Sequence, residues 1–479
     1  MSEKLAPVVR VRGMLGRRAT LSPGLLVALL VYVEITSGVI QGAVAPVLPA
    51  LGSRLDVGAA ALNWVNVCQL LSSAVCVPVF AQLGDRFGHR KLLRITLACV
   101  ALGTILVALA PNYPLLLAGR VLEGLIAVWL PLEYAIVREQ LPRERTAPAI
   151  AKLTGGLVLG VSLGTLLVGI LSRVNPDPRV ALALPAVLTL SCLPIAWLWV
   201  PESDVRKRER ADIPGAVLLT LGLGALLIGL SQGPRAGWTS ASFIILMSGA
   251  LVILAAWVVV ELRRKHPMVD LRFTVRRSVR PLYIAAFVVG VALFGTQSAL
   301  ATFTSANPAL GYGFGYGTLG VALVVLPLGL ASFAGSYLFG ALVSRTSGRP
   351  VIAGAFVLAA VGYLVLVWAH SQVWQVILAN VIAGIGVGAV IAGLPIALVA
   401  VTPKENTGIA TGVYQVSRSV GGSVAGAVFA TVLAAMPVTG GLAPSEGAYE
   451  TVWLICAGLL VLGCWSVAGP HRKNLEVNP

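Results

Sequence analysis

The chain has 479 residues, 57% of them hydrophobic and only 11% charged, with a mean hydropathy of +0.89. Globular domains carry roughly a quarter charged residues, so this composition excludes a soluble globular protein and predicts a polytopic α-helical membrane protein. A net charge of +16 would suggest a nucleic-acid partner in a soluble chain, but in a membrane chain its placement along the loops decides its meaning.

The N-terminal stretch MSEKLAPVVRVRGMLGRRATLSPG is basic and polar for longer than a cleavable signal peptide. The apolar run after it lacks a small-residue cleavage site, so it is expected to stay as the first span. Apolar blocks of about 20 residues, each enough to cross a hydrocarbon core of roughly 30 Å as helix, then follow to the end. They predict fourteen spans, at 23–48, 59–83, 92–110, 115–137, 148–171, 180–200, 213–230, 240–262, 281–303, 318–343, 351–369, 373–401, 408–436 and 452–467. With the N-terminus in the cytoplasm, 29 of the 35 Lys and Arg residues fall on the inside. Only Arg54, Arg173, Arg179 and Arg235 fall in outside loops, and Arg120 and Arg418 lie within spans. A wrong span count would scramble this asymmetry. Both termini are therefore predicted to be cytoplasmic, and the charge reads as membrane orientation, with no nucleic acid bound.

The six cysteines (Cys68, Cys76, Cys99, Cys192, Cys456 and Cys464) all lie in apolar runs without CxxC pairing, as small core residues do. His89, His266, His370 and His471 have no neighbours at metal-ligand spacing. The glycine-rich GYGFGYG at 311–317 is followed by no P-loop Lys, and no Walker motif is present. No enzyme activity, metal or bound cofactor is predicted.

Residues 81–91, AQLGDRFGHRK, pack Asp85, Arg86, His89, Arg90 and Lys91 into a turn punctuated by Gly84 and Gly88 between spans 2 and 3. Glycine permits the sharp reversal, and Asp85 can accept hydrogen bonds from a neighbouring helix N-terminus. The cations hold the turn on the cytoplasmic side. This stretch resembles the loop between spans 2 and 3 of the major facilitator superfamily, Gly-x-Leu-x-Asp-Arg-x-Gly-Arg-Arg, with Ala81 for the first Gly and His89 for the usual Arg. LLLAGRVLEG at 115–124 resembles the family's span-4 signature, with Glu123 where Gln is usual. GLVLGVSLGTLLVGIL at 156–171 resembles its span-5 antiporter motif, with Thr165 for the Pro and Val168 for one Gly. GALVSRTSGRP at 340–350 looks like a worn copy of 81–91, with Ser344 in the place of Asp85. The copy would match span 10 to span 2 and spans 9–14 to spans 1–6, leaving spans 7 and 8 as an inserted pair.

The resemblance covers nearly the whole chain and implies the fourteen-span drug:proton antiporter branch. Its fold is all-α, with six-helix bundles at 23–200 and 281–467, a linker with two inserted helices at 201–280, and cytoplasmic tails at 1–22 and 468–479. The activity implied is proton-coupled efflux of hydrophobic small molecules from a monomer in the plasma membrane. Its partners are the substrate, protons and the lipid bilayer, and the proton gradient stands in place of a cofactor. Two other readings stay open: a proton-coupled transporter of one endogenous metabolite, and a non-transporting receptor or scaffold.

Ionisable residues inside spans cost several kcal/mol unless they line water or find a partner. Glu34 lies about 15 Å into span 1, Arg120 and Glu123 share a face of span 4, and Arg418 lies near the middle of span 13. In proton-coupled members the span-4 Arg is linked to proton transfer, so the resemblance assigns that role to Arg120, while the intramembrane placement of Glu34 and of Glu123 next to Arg120 makes those two the expected proton carriers. The competing reading is a static ion pair that fixes packing. Polar stripes should face the bundle interior, which makes Gln41, Asn66, Gln69, Tyr414, Gln415 and Arg418 the expected substrate cavity, with Asn63 and Ser73 on the same stripe of span 2. Trp64, Trp129, Phe294 and Tyr414 could stack on a hydrophobic substrate or simply pack the core. Glu133 is expected at the cytoplasmic end of span 4, latching the outward-facing state with Asp85, Arg86 and Arg90. Gly156, Gly160 and Gly164, four residues apart, predict a close helix–helix approach.

Overall fold

The computed structural model describes residues 9–12, 18–57, 59–175, 177–201, 212–264, 267, 269, 271–343, 348–403, 406–438 and 443–468. Ser344, most of the loop at 201–212 and both ends of the chain lie outside the described residues, as do the side chains of Asn63 and Phe294. A short antiparallel hairpin, β1 (Val9–Arg12) paired with β2 (Arg18–Leu21), precedes the helical body.

The helices begin where the sequence supplies caps. α1 (Pro23–Leu55) opens with Ser22 accepting the Leu25 N–H at 3.3 Å and with Pro23 in the first position, where its missing N–H costs nothing. It runs past the predicted end at 48 and stops at Asp56, whose φ of 51° is left-handed. α2 (Ala59–Phe87) and α3 (His89–Leu109) are divided by Gly88 at φ 102°, a backbone turn that favours glycine. α4 (Tyr113–Glu123), capped by Asn112, passes through a 3-10 stretch, Gly124–Val128, into α5 (Trp129–Gln140). α6 (Arg143–Val174) and α7 (Pro178–Leu198) follow, then α8 (Ile213–Ala236), α9 (Ala241–Arg263) and the short α10 (Leu271–Thr274). α11 (Arg280–Gly290) passes through a π-helical segment, Val291–Gly295, into α12 (Thr296–Ser305). The last elements are α13 (Thr318–Val343), α14 (Gly348–Trp368), α15 (Val373–Val401), α16 (Thr407–Ala435) and α17 (Glu446–Ala468).

Among the described residues, twelve helices are long and apolar enough to cross a membrane. Pro214–Leu230 in α8 and Arg280–Leu293 are shorter apolar stretches. α1 packs along α6, α2 against α4 and its 3-10 extension, and α3 against α4 and α7. The same pairings recur later in the chain: α11 along α16, α13 along α15, and α14 against α15 and α17. The main contacts that join the sets are α6 with α13 and α2 with α16, with smaller ones between α6 and α15 and between α5 and α16. α8 packs on both α2 and α16, and α9 packs on α8. Only Ala250 and Glu261 of α9 are buried, while Ile245 and Val252 lie open, as on a helix that faces lipid.

The α1–α6 contact depends on small residues. A Cβ at Gly160 would lie 2.2 Å from the Ile35 carbonyl oxygen, and one at Gly164 2.5 Å from that of Val39. Gly156 is less crowded, 3.2 Å from a Val31 methyl, while Gly38 on α1 meets the Leu157 carbonyl from the other side. The two backbones therefore touch along three turns.

Candidate functional site

Two groups of buried charge lie in the helical body. In the first, α4 presents Arg120 and Glu123 to α2. The Arg120 guanidinium is 1% exposed and donates to the Val65 carbonyl at 2.9 Å, to Glu123 Oε2 at 2.5 Å, to Asn66 Oδ1 at 3.5 Å and to Gln69 Oε1. Asn66 and Gln69 thus hold Arg120 between α2 and α4 instead of standing open to a cavity. Ser72 and Ser73 donate to the Val121 and Gly124 carbonyls at 2.6 and 2.9 Å, taking up acceptors where the α-helix gives way to 3-10.

The second group lies where α1 and α5 meet α16. Glu34 and Glu133 are both fully buried and their carboxyl groups face one another. None of the four carboxyl oxygens has a hydrogen-bond partner among the described residues. Arg418 of α16 acts electrostatically on Glu34 and donates to the Tyr414 hydroxyl, which itself donates to the Ile391 carbonyl at 3.4 Å, and Tyr134 lies close to all three charged and phenolic groups. This corrects the sequence expectation for Glu133, which is an interior residue of the α1–α5–α16 junction and not part of a cytoplasmic surface network. Two facing carboxyl groups can share a proton, one neutral and donating to its charged partner. Gln415 is buried with an Oε1 that has no partner among the described residues, and Gln41 is half-buried with its amide on Ser37. Trp129 is fully buried, a core position, whereas Trp64 is half-buried.

Where the ends of α2 and α5 meet the start of α16, a third cluster forms. Asp85 accepts from His89 Nε2 at 3.0 Å and from the Ile409 N–H of α16 at 3.3 Å. That second bond caps the α16 N-terminus from another helix, since Asn406 makes no side-chain capping bond there. His89 Nδ1 lies 3.0 Å from Glu139 Oε1. Arg138 donates to the Thr402 and Pro403 carbonyls and to Thr407 Oγ1, at 2.5, 3.3 and 2.5 Å. Arg90 instead donates to the Trp197 carbonyl at 2.8 Å and fastens α3 to α7, and Arg86 stacks over Phe87 at 4.8 Å. Sequence reasoning missed His89, Arg138 and Glu139 as contact residues. Their charge next to a turn was the available signal, but it is shared by most of the basic loops.

All six cysteines are free. On the opposite face, His370, Glu446 and Glu450 bring three donor atoms within 4.8 Å, with His370 Nε2 2.8 Å from Glu446 Oε1. Glu446 and Glu450 lie one turn apart on α17 and His370 lies in the turn after α14, so no local spacing announced the three together.

Twelve membrane-length helices among the described residues, a recurring set of helix pairings and charges gathered at the junction between the sets define a multi-pass membrane transport protein. The chain belongs to the Major Facilitator Superfamily, whose family description matches residues 30–426. It is a transporter and not an enzyme, acting on a small molecule. A "Probable actinorhodin transporter" of Streptomyces coelicolor is 27% identical over 416 residues, covering 83% of this chain and 70% of that protein. "Multidrug resistance protein Stp" of Mycobacterium tuberculosis is 30% identical over 393 residues, covering 81% and 72%. Among solved structures, the human organic anion transporter MFSD10 superposes with a TM-score of 0.67 at 14% identity, covering 93% of this chain and 99% of that one. That likeness is one of fold.

Proposed function

We propose that the protein exports hydrophobic small molecules across the plasma membrane in exchange for protons, by rocking two six-helix bundles about a site between them. The bundles are 23–200 and 281–467, and α8 and α9 within 201–280 are the inserted pair. This gives fourteen spans with both termini in the cytoplasm. The recurring pairings support the division, and the 24 residues of α8, about 36 Å of helix, are long enough to span. The positive-inside distribution supports the orientation. The relatives named for actinorhodin transport and for multidrug resistance support export of drug-like compounds.

The observation that carries the reading is the buried Glu34–Glu133 pair beside Arg418, at the seam where α1 and α5 meet α16. A proton shared there neutralises one carboxyl group, and a cationic or zwitterionic substrate arriving near it favours release of that proton. Arg120 and Glu123 form a second, internally compensated pair that links α4 to α2 and passes protonation changes to the 3-10 break. Asp85, His89, Arg138 and Glu139 hold the cytoplasmic ends together while the site faces outward. The test is proton flux in proteoliposomes under an imposed pH gradient, driven by a panel of lipophilic dyes and antibiotics. Flux with several unrelated compounds is expected. Flux with only one compound assigns a narrow metabolite transporter, and substrate binding without flux assigns a receptor.

A further inference from the structure

The two lateral seams between the helix sets are finished differently. The α2–α16 seam is covered by α8, whose Leu219 and Leu223 pack in one apolar cluster with Val79 of α2 and Ile409, Val413 and Val416 of α16. Among the described residues no helix covers the α6–α13 seam in that way. At its cytoplasmic end lies a cavity of about 370 Å³ bounded by α1, α6 and α13. Its floor is apolar, with Val27, Val31 and Phe333, and its rim carries Arg145 and Lys152. No Asp or Glu lines it.

Arg145 and Lys152 are exposed and seven residues apart on α6, on one face of the helix. Neither makes an ion pair or side-chain hydrogen bond among the described residues. Lys152 lies four residues, about 6 Å, beyond the start of the predicted span at 148, where its charge needs an anion or a path to the interface. Tyr337, 55% exposed, stands opposite on α13 and suits the boundary between headgroups and acyl chains. A ligand for this cavity must be anionic at one end, apolar at the other and delivered from the cytoplasmic leaflet.

We propose that the cavity is a binding site for an anionic phospholipid, with its phosphate between Arg145 and Lys152 and one acyl chain along Val27, Val31 and Phe333. The lipid wedges α1 and α6 against α13, so it favours the closed cytoplasmic arrangement. The depth argument rests on the cytoplasmic orientation proposed above, while the binding test below does not depend on it.

The experiment is native mass spectrometry of the full chain in detergent, titrated with phosphatidylglycerol or phosphatidylcholine of the same chains. Selective retention of phosphatidylglycerol is expected. Arg145→Ala/Lys152→Ala should weaken that retention by roughly 30-fold, the effect of removing two basic residues from an anionic headgroup, and should leave phosphatidylcholine unchanged. Because both residues are exposed, the double variant should fold. Ala28→Trp, which fills the cavity and leaves both charges in place, should also expel the lipid. Equal retention of the two lipids, or full retention by either variant, overturns the proposal. Competition by inorganic phosphate as effective as by the whole lipid also overturns it, since the apolar floor would then play no part.

Discussion

Arg120→Ala tests whether Arg120 and Glu123 on α4 form a true buried ion pair. The guanidinium has four acceptors and is 1% exposed, and its partner Glu123 is 2% exposed. Removing the cation leaves a carboxylate with no compensation in the helix interior. Breaking such a pair costs about 3–5 kcal/mol, whereas an exposed pair contributes under about 1 kcal/mol. Arg120→Ala should therefore lose about 3–5 kcal/mol in denaturant titrations in mixed micelles, followed by tryptophan fluorescence. Arg120→Lys should recover only part of the loss, because one ammonium cannot reach acceptors spread over Val65, Asn66, Gln69 and Glu123. Arg120→Ala combined with Glu123→Ala should be more stable than Arg120→Ala alone, since no orphaned charge remains. A single variant within about 0.5 kcal/mol of wild type, or a double variant less stable than Arg120→Ala, would refute the reasoning.

Gly160→Val should lower the unfolding midpoint by the equivalent of about 1–3 kcal/mol, because its Cβ would begin 2.2 Å from the Ile35 carbonyl oxygen. Gly24→Ala, with nothing within 4 Å, is the matched control, and equal effects of the two would contradict the close α1–α6 contact. Arg138→Ala should loosen the contact between the end of α5 and the start of α16, seen as a broadened distance distribution between spin labels on the two helices. An unchanged distribution would remove Arg138 from the latch. Gln69→Leu should reduce transport more than Gln41→Leu, since Gln69 positions Arg120 and Gln41 bonds only within its own helix. Equal transport by the two variants would count against that role.

Hydrophobic block length made the class legible, and the three motif stretches made the family legible. The placement of Arg120 near Glu123 also followed from helical spacing, because i and i+3 share a face wherever the helix lies. What the sequence hid was rotation. Glu133 was expected at the surface because it follows span 4 towards its cytoplasmic end. The 3-10 stretch Gly124–Val128 lies between Glu123 and Glu133, and each of its residues advances about 120° instead of about 100°. Five such residues turn the following helix by about 100° from the face a continuous helix would present, enough to change which neighbour Glu133 meets. Asn66 and Gln69 were hidden for another reason. A polar stripe announces that it faces the interior, but whether it meets water or a buried Arg depends on the opposing helix. The contacts of Asp85 with Ile409 and of Arg138 with Thr407 join residues more than 260 positions apart, and no local pattern encodes them.

The most direct test of the central claim is a proton-release measurement on purified protein in weakly buffered detergent solution, on addition of a saturating lipophilic cation. The account predicts release of about one proton per protein from wild type, from the proton shared by two facing carboxyl groups. Glu34→Gln and Glu133→Gln should each abolish the release while still binding the cation, and Glu144→Gln at the exposed start of α6 should leave it intact. Undiminished release from both interior variants would contradict the account and move proton coupling away from the α1–α5–α16 junction.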